Sequence, residues 1–236
     1  MKRSLISLVA VGFLASCGGG SSSDTSNVDT TNQVNTDTTN TTTNQVNTDT
    51  TNTTTNQTNT DTTTAQTTTP TNYTIPTISE ADKSTFLDAI NNARAVSRDC
   101  GDGKGVVASV EALTWNNDLY EASYEHNYDM LNANFFAHEG SATQYDISGT
   151  KLNKQSDPLD RVKNNGYLDT GVTSSYGAGE NLADGHTTIQ SAVNDWLNSP
   201  PHCSNIMTAN FTEMGLSKVA KSNGGFLWTN VFGFKK

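Results

Sequence analysis

From Gly18 to about Thr77 the chain consists of Thr, Asn, Gln, Asp and Ser with almost nothing apolar. Such a stretch cannot bury enough surface to offset the entropy of ordering it, so a folded core has to come from the residues outside it. A short unit recurs inside it, from Asn32 to Thr43, from Asn44 to Thr55, and in a degenerate copy from Asn56. Repetition of this kind raises a solenoid. Each unit offers only one valine, however (Val34, Val46), and Thr58 replaces it in the third copy. Disorder is the expectation, and the role that follows is a tether of about 60 residues with an r.m.s. span of ~40–45 Å.

The residues ahead of this segment read as an export leader. Lys2 and Arg3 supply a positive start, and Leu5 to Ala15 an apolar run of signal-peptide length, too short for a membrane span. The run ends in Leu14-Ala15-Ser16-Cys17, which looks like a bacterial lipobox with Cys17 as the acylated residue. Gly18 after the cysteine resembles the sorting pattern of outer-membrane lipoproteins. The expected divisions are therefore 1–17 as leader with lipobox, 18–77 as disordered linker, and 78–236 as folded domain.

Of the 3 cysteines, acylation of Cys17 leaves Cys100 and Cys203. An even pair in an exported chain reads as a disulfide. The alternative, both thiols with His202 as metal ligands, lacks any CxxC clustering. Net charge is −10, with the acidic excess spread along the chain and no basic run to meet phosphates. Nucleic acid is not an expected partner, and neither is an electrostatic membrane contact. Hydrophobic residues make up 33% of the chain, against roughly 45–50% in ordinary globular proteins. The deficit sits in the first third, so the rest can still form a normal core.

In the remaining residues helices come first and strands last. Ser79 precedes an acidic first turn, with Phe86, Leu87, Ile90 and Ala93 on one helical face. A second helix is expected from about Asn116 to Asn132, with Leu119, Ala122, His126 and Met130 on its stripe. A short third runs from Leu159 to Asn165 and ends at Gly166. A fourth carries Ile189, Val193, Trp196 and Leu197, and Pro200-Pro201 is expected to stop it. The end reads as a hairpin, Glu213 to Ala220 and Phe226 to Phe234 around Asn223-Gly224-Gly225. This order argues α+β with a largely antiparallel sheet.

Three segments carry the polar residues that matter: Asn134-Phe135-Phe136-Ala137-His138, Gly179-Glu180-Asn181-Leu182-Ala183, and Trp196-Leu197-Asn198-Ser199-Pro200-Pro201-His202. Together and in this order they resemble the CAP superfamily (cysteine-rich secretory proteins, antigen 5 and pathogenesis-related proteins) over roughly residues 80 to 234. The resemblance implies a three-layer α-β-α sandwich and a cleft in which His138 and His202 face Glu180, read here as lying in a Gly-flanked turn. Many eukaryotic members carry a second glutamate where Ser199 stands, so paired-carboxylate chemistry is weakened. The resemblance also places a metal, Zn2+, on His138 and His202, with Glu180 orienting a histidine. Ser199 and Asn181 complete the expected binding cleft, although Asn181 reads better as a backbone partner. Ser199 with His202 does not make a serine hydrolase, because no Gly-x-Ser-x-Gly elbow exists. His126 reads as a core histidine and His186 as a solvated one.

The expected function is a non-enzymatic, lipid-anchored module of the cell envelope, binding a lipid, glycan, peptide or protein partner. A metal-dependent hydrolase of peptide or cell-wall substrates, with Glu180 as general base, is the first rival. A purely structural envelope domain is the second.

Overall fold

The structure is a computed structural model that describes residues 70, 72–172 and 174–236. The expectations for the leader, for Cys17 and for the Thr/Asn-rich linker lie outside the described residues. Ordered packing starts ahead of Ile78. The Tyr73 ring lies 4.9 Å from that of Tyr128, and Tyr120 Oη donates to the carbonyl of Pro76 at 2.8 Å.

Ser79 opens helix α1 (Glu80–Arg94) by accepting from the backbone of Asp82, and the helix buries Phe86, Ile90 and Ala93. Strands β1 (Arg98–Asp99) and β2 (Val106–Val107) form a small antiparallel flap. Cys100 at its base is bridged to Cys203. After the short β3 (Thr114–Trp115), Asn116 accepts from the backbones of Asp118 and Leu119 to start α2 (Asn117–Asn132). The short helix α3 (Ile147–Leu152) follows, and then α4 (Pro158–Asn164), which begins with a reciprocal Asp157–Asp160 capping box. Next come β4 (Tyr176–Asp184), α5 (Ile189–Asn198), α6 (Pro200–Ile206), β5 (Glu213–Ala220) and β6 (Phe226–Lys235).

Four strands form the main sheet in the order β3-β5-β6-β4. The β3–β5 pair is parallel and the other two pairs are antiparallel. Helix α2 covers one face against β5 and β6, while α1, α5 and α6 cover the other. The protein is thus an α+β, three-layer α-β-α sandwich. Gly215 on β5 shows how close the layers lie, because a Cβ there would collide with the backbone of Leu119 and Tyr120 in α2. The larger core, with Trp196, Trp228, Met214 and Phe232, fills the α1/α5/α6 side. Leu119, Val162 and Val231 belong to one smaller cluster on the α2 side, and Met130, Leu182 and Leu227 form another.

Two local expectations are corrected. Glu180 is not in a turn but in the middle of the nine-residue strand β4, paired with Val231 of β6. The flanking glycines serve packing, since a Cβ on Gly177 would run into the Phe234 ring and one on Gly179 into Phe211. Pro200-Pro201 does end α5 but also begins α6, where proline stands in the first turn. A missing N–H costs nothing at that position, because those donors have no helical partner anyway. His202 therefore sits on a helix, and the imidazole is aimed by a rigid element.

Both edges of the sheet are blunted. Strand β3 has two residues. On β4 the carbonyl of Leu182 accepts from Trp196 Nε1 at 2.8 Å, and that of Glu180 from Asn205 Nδ2 at 3.1 Å.

Candidate functional site

Alternation along β4 divides the site between two layers. Glu180 and Leu182 face α2, and Asn181 faces α6. On the α2 side Glu180 is enclosed, with its side chain 1% exposed. Its Oε1 accepts from His138 Nδ1 at 2.9 Å and its Oε2 from Arg161 Nη2 at 2.9 Å. His126 on α2 lies 3.8 Å from Oε1, and its Nε2 donates to the carbonyl of Ala137 at 2.8 Å. Arg161 on α4 also donates to the carbonyl of His138 at 2.8 Å and to Ser156 Oγ at 3.0 Å. Two consecutive carbonyls, those of Ala137 and His138, are thus held from beneath by buried donors.

On the α6 side Asn181 donates to the carbonyl of His202 at 3.0 Å and accepts from Asn205 at 2.9 Å. Asn205 bonds Glu180's own carbonyl as well. The two histidines therefore reach the free edge of β4 from opposite layers. They sit near enough that a charge on His138 would disfavour protonation of His202.

The loop that carries His138 is pinned at a third point. Asp129 accepts from both the backbone and the hydroxyl of Ser141. Asp146 accepts from the backbones of Ala142, Gly149 and Ser156.

The charges are set by burial first. Burial would raise Glu180, but Arg161, with His126 and His138, overrides it and holds the carboxyl well below the usual range. Burial, and then the Arg161 charge, push His126 down to about 3. Burial, followed by His138, lowers His202 against an opposing pull from Asp195. Burial raises Asp129 to about 6 despite the Ser141 bonds.

These shifts fix the sign of the pH dependence. His126 and His202 have depressed values, so the unfolded chain takes up their protons first, and stability falls as pH drops below 6.5. Asp129 opposes this between about 6 and its ordinary 3.8, where the folded state holds the extra proton. Glu180 joins the loss below its ordinary 4.5. Unfolding free energy is expected to decline from pH 7 toward pH 4, each unbalanced proton costing about 1.4 kcal/mol per pH unit. Urea midpoints at pH 7, 5.5 and 4 check this; a midpoint that rises on acidification would contradict the buried neutral state of His126.

His138 and Glu180 are in direct contact, and His202 joins them through Asn181 and Asn205. Asn181 is fully buried and serves the backbone. Ser199 is the half-buried hinge between α5 and α6, and its side chain makes no capping bond. His126 is fully buried, while His186 Nε2 lies 3.4 Å from Asp195. Arg161 and Asn205 belong to the site and escaped the sequence reading. Hollows of about 470 Å³ beneath the His138 loop and about 280 Å³ beside Asp102 and Met207 are lined by other residues.

The donors this site leaves for a zinc are the imidazoles of His138 and His202. Both Glu180 oxygens are engaged and buried, and among the described residues no three His, Cys, Asp or Glu side chains converge to hold an ion. Two imidazoles remain, one short of the three protein ligands of catalytic zinc.

An α-β-α sandwich with a histidine-glutamate pair at its β4 edge defines the class, and comparison with known proteins gives the family. The model of the cysteine-rich secretory protein family (CAP) matches residues 87–232, well over half of the chain. The chain belongs to that family. It is 28% identical over 123 residues to YkwD of Bacillus subtilis (strain 168), covering 52% of this chain and 40% of that one. It thus spans less than half of that relative's length. An extracellular SCP-domain protein of Bacillus anthracis superposes with a TM-score of 0.44 at 20% identity, over 69% of this chain and 45% of that one. NaASP2, crystallised with Zn2+, gives 0.37 at 14% identity, over 66% and 80%.

Proposed function

We propose that this protein is an extracytoplasmic binding module in which His138 and His202 meet the ligand and Glu180 orients His138. The observation that carries the reading is the engagement of both Glu180 oxygens in a side chain 1% exposed. A carboxylate so committed has no lone pair at the cleft with which to activate water, which weighs against the hydrolase. The structural reading explains Glu180 but not why His138 is left 19% exposed beside a second imidazole. The ligand is a lipid headgroup, a glycan or a peptide, and no nucleic acid is involved.

NMR shift mapping with muropeptides, short peptides and soluble lipid headgroups tests this. Perturbations centred on His138 and His202, and lost in the His138→Ala/His202→Ala variant, are expected. Turnover of any of these, abolished by Glu180→Gln, would replace the reading with the hydrolase. No perturbation from any class would leave the structural role.

The extracytoplasmic placement rests on the leader and lipobox. The lipobox Leu14-Ala15-Ser16-Cys17 makes a lipid on Cys17 the proposed anchor, to the outer membrane. Cys17→Ser is expected to move the protein from the membrane to the soluble fraction. Retention in the membrane would remove the anchor from the proposal.

A further inference from the structure

We infer that Arg161 is a positioning residue for the cleft, keeping Nε2 of His138 free of hydrogen so that a lone pair faces the ligand. An ionised carboxylate only accepts hydrogen bonds, so the ring nitrogen that meets Glu180 Oε1 at 2.9 Å, Nδ1, must be the one that carries hydrogen. The other nitrogen is then bare. This logic requires Glu180 to stay ionised although it is buried, and a buried carboxylate does so only with a cation at hand. Arg161 is that cation. Its guanidinium is itself 1% exposed and lies 2.9 Å from Oε2.

The same Nη2 reaches the carbonyl of His138 at 2.8 Å. Arg161 therefore grips both the backbone of His138 and the partner of its ring. His126 supplies the contrast. Its Nε2 meets the carbonyl of Ala137, which only accepts, so His126 carries its hydrogen on Nε2, the reverse of His138.

Without Arg161 the lost charge can be made good on Glu180 or on His138, and both spoil Nε2, while the fully buried His126, 3.8 Å from the same Glu180 oxygen, is the costlier place for a proton. Glu180 can take up a proton and donate it to Nδ1, which leaves the ring hydrogen on Nε2. Alternatively His138 becomes an imidazolium to replace the lost cation, and both nitrogens carry hydrogen. This inference rests on the binding reading above for its purpose, and it narrows the ligand. A bare imidazole nitrogen, backed by an ion pair that cancels to zero, receives a hydrogen-bond donor or a cationic group such as a sugar hydroxyl or an ammonium. It repels carboxylates and phosphates.

The test is the nitrogen-15 spectrum of the four histidines in the ligand-free protein at pH 7.5. In the wild type, His138 Nε2 should show the shift of an unprotonated ring nitrogen. The Nδ1–H form should exceed the other by about tenfold, which needs only ~1.4 kcal/mol from a charge-assisted bond. Arg161→Met should move His138 Nε2 to a protonated shift, while His126 keeps the hydrogen on its own Nε2. Arg161→Lys, which keeps a cation, should restore much of the wild-type signal, as a merely structural brace would not require. If Arg161→Met does not fold, Glu180→Gln gives a second reading, with loss of the tenfold preference expected. Protonated Nε2 in the wild type, or bare Nε2 in folded Arg161→Met, would overturn the inference. Because no ligand enters the measurement, a failed ligand screen with the expected spectra would refute the binding reading alone.

Discussion

Reduction of the Cys100–Cys203 bridge is expected to lower the stability of the folded domain by about 4–5 kcal/mol in the chain-entropy model. The bridge spans a sequence separation of 103 residues, so the loop it closes is long, and the unfolded chain gains correspondingly more freedom when it opens. Both sulfurs are buried, Cys203 at 0% and Cys100 at 5% exposure. The native state therefore keeps most of its packing after reduction, and the cost falls mainly on the unfolded side. Thermal unfolding with and without reductant, with free thiols counted, checks this. A fall in Tm of roughly 10–20 °C is expected for a domain of this size. A change of less than a few degrees with both thiols titrating would mean that the reduced unfolded chain stays restricted by other means.

Arg94→Met is expected to cost on the order of 3–5 kcal/mol. Arg94 ends α1 with no exposed surface, and no carboxylate is among the partners of its guanidinium. It donates to the carbonyls of Glu111, Ile206, Thr208 and Phe211. Burial lowers its pKa to about 10, which leaves it charged at neutral pH. One side chain thus satisfies the C-terminal carbonyl of α6 and the loop beyond it, where a cation also meets the negative end of the helix dipole. Methionine fills similar space but strands four acceptors. Arg94→Lys should recover part of the loss, having three donors without the planar fork. Urea denaturation of the three proteins measures it, and a loss below about 1 kcal/mol would show that water replaces the guanidinium freely.

How much of this could be read from the sequence depended on whether the signal was local. Helical stripes such as Leu119, Ala122, His126 and Met130 are periodic, and the structure buries all four. The hairpin of β5 and β6 declared itself by alternation and by a Gly-rich turn. The motif residues His138, Glu180 and His202 stood out through their neighbours. By contrast, Gly177 and Gly179 suggested a turn because their true reason, the rings of Phe234 and Phe211, lies far along the chain.

Arg161 and Arg94 were invisible for the same cause. A single arginine in a helix normally points to solvent, and nothing nearby in sequence reveals Glu180 or the end of α6 as its target. Long-range partners of polar groups leave no periodic trace. The proline pair at Pro200 was ambiguous in principle, because the residue that stops one helix is equally suited to start another.

The occupied carbonyls of β4 have a consequence for crowding. A sheet edge with open backbone groups invites a neighbouring molecule to add its own strand, and that is the usual route to edge-to-edge aggregates. Here Trp196 and Asn205 already fill two of the acceptors such a neighbour would need, and the opposite border is only two residues long. The molecule can be packed densely against copies of itself while its sheet stays closed to them.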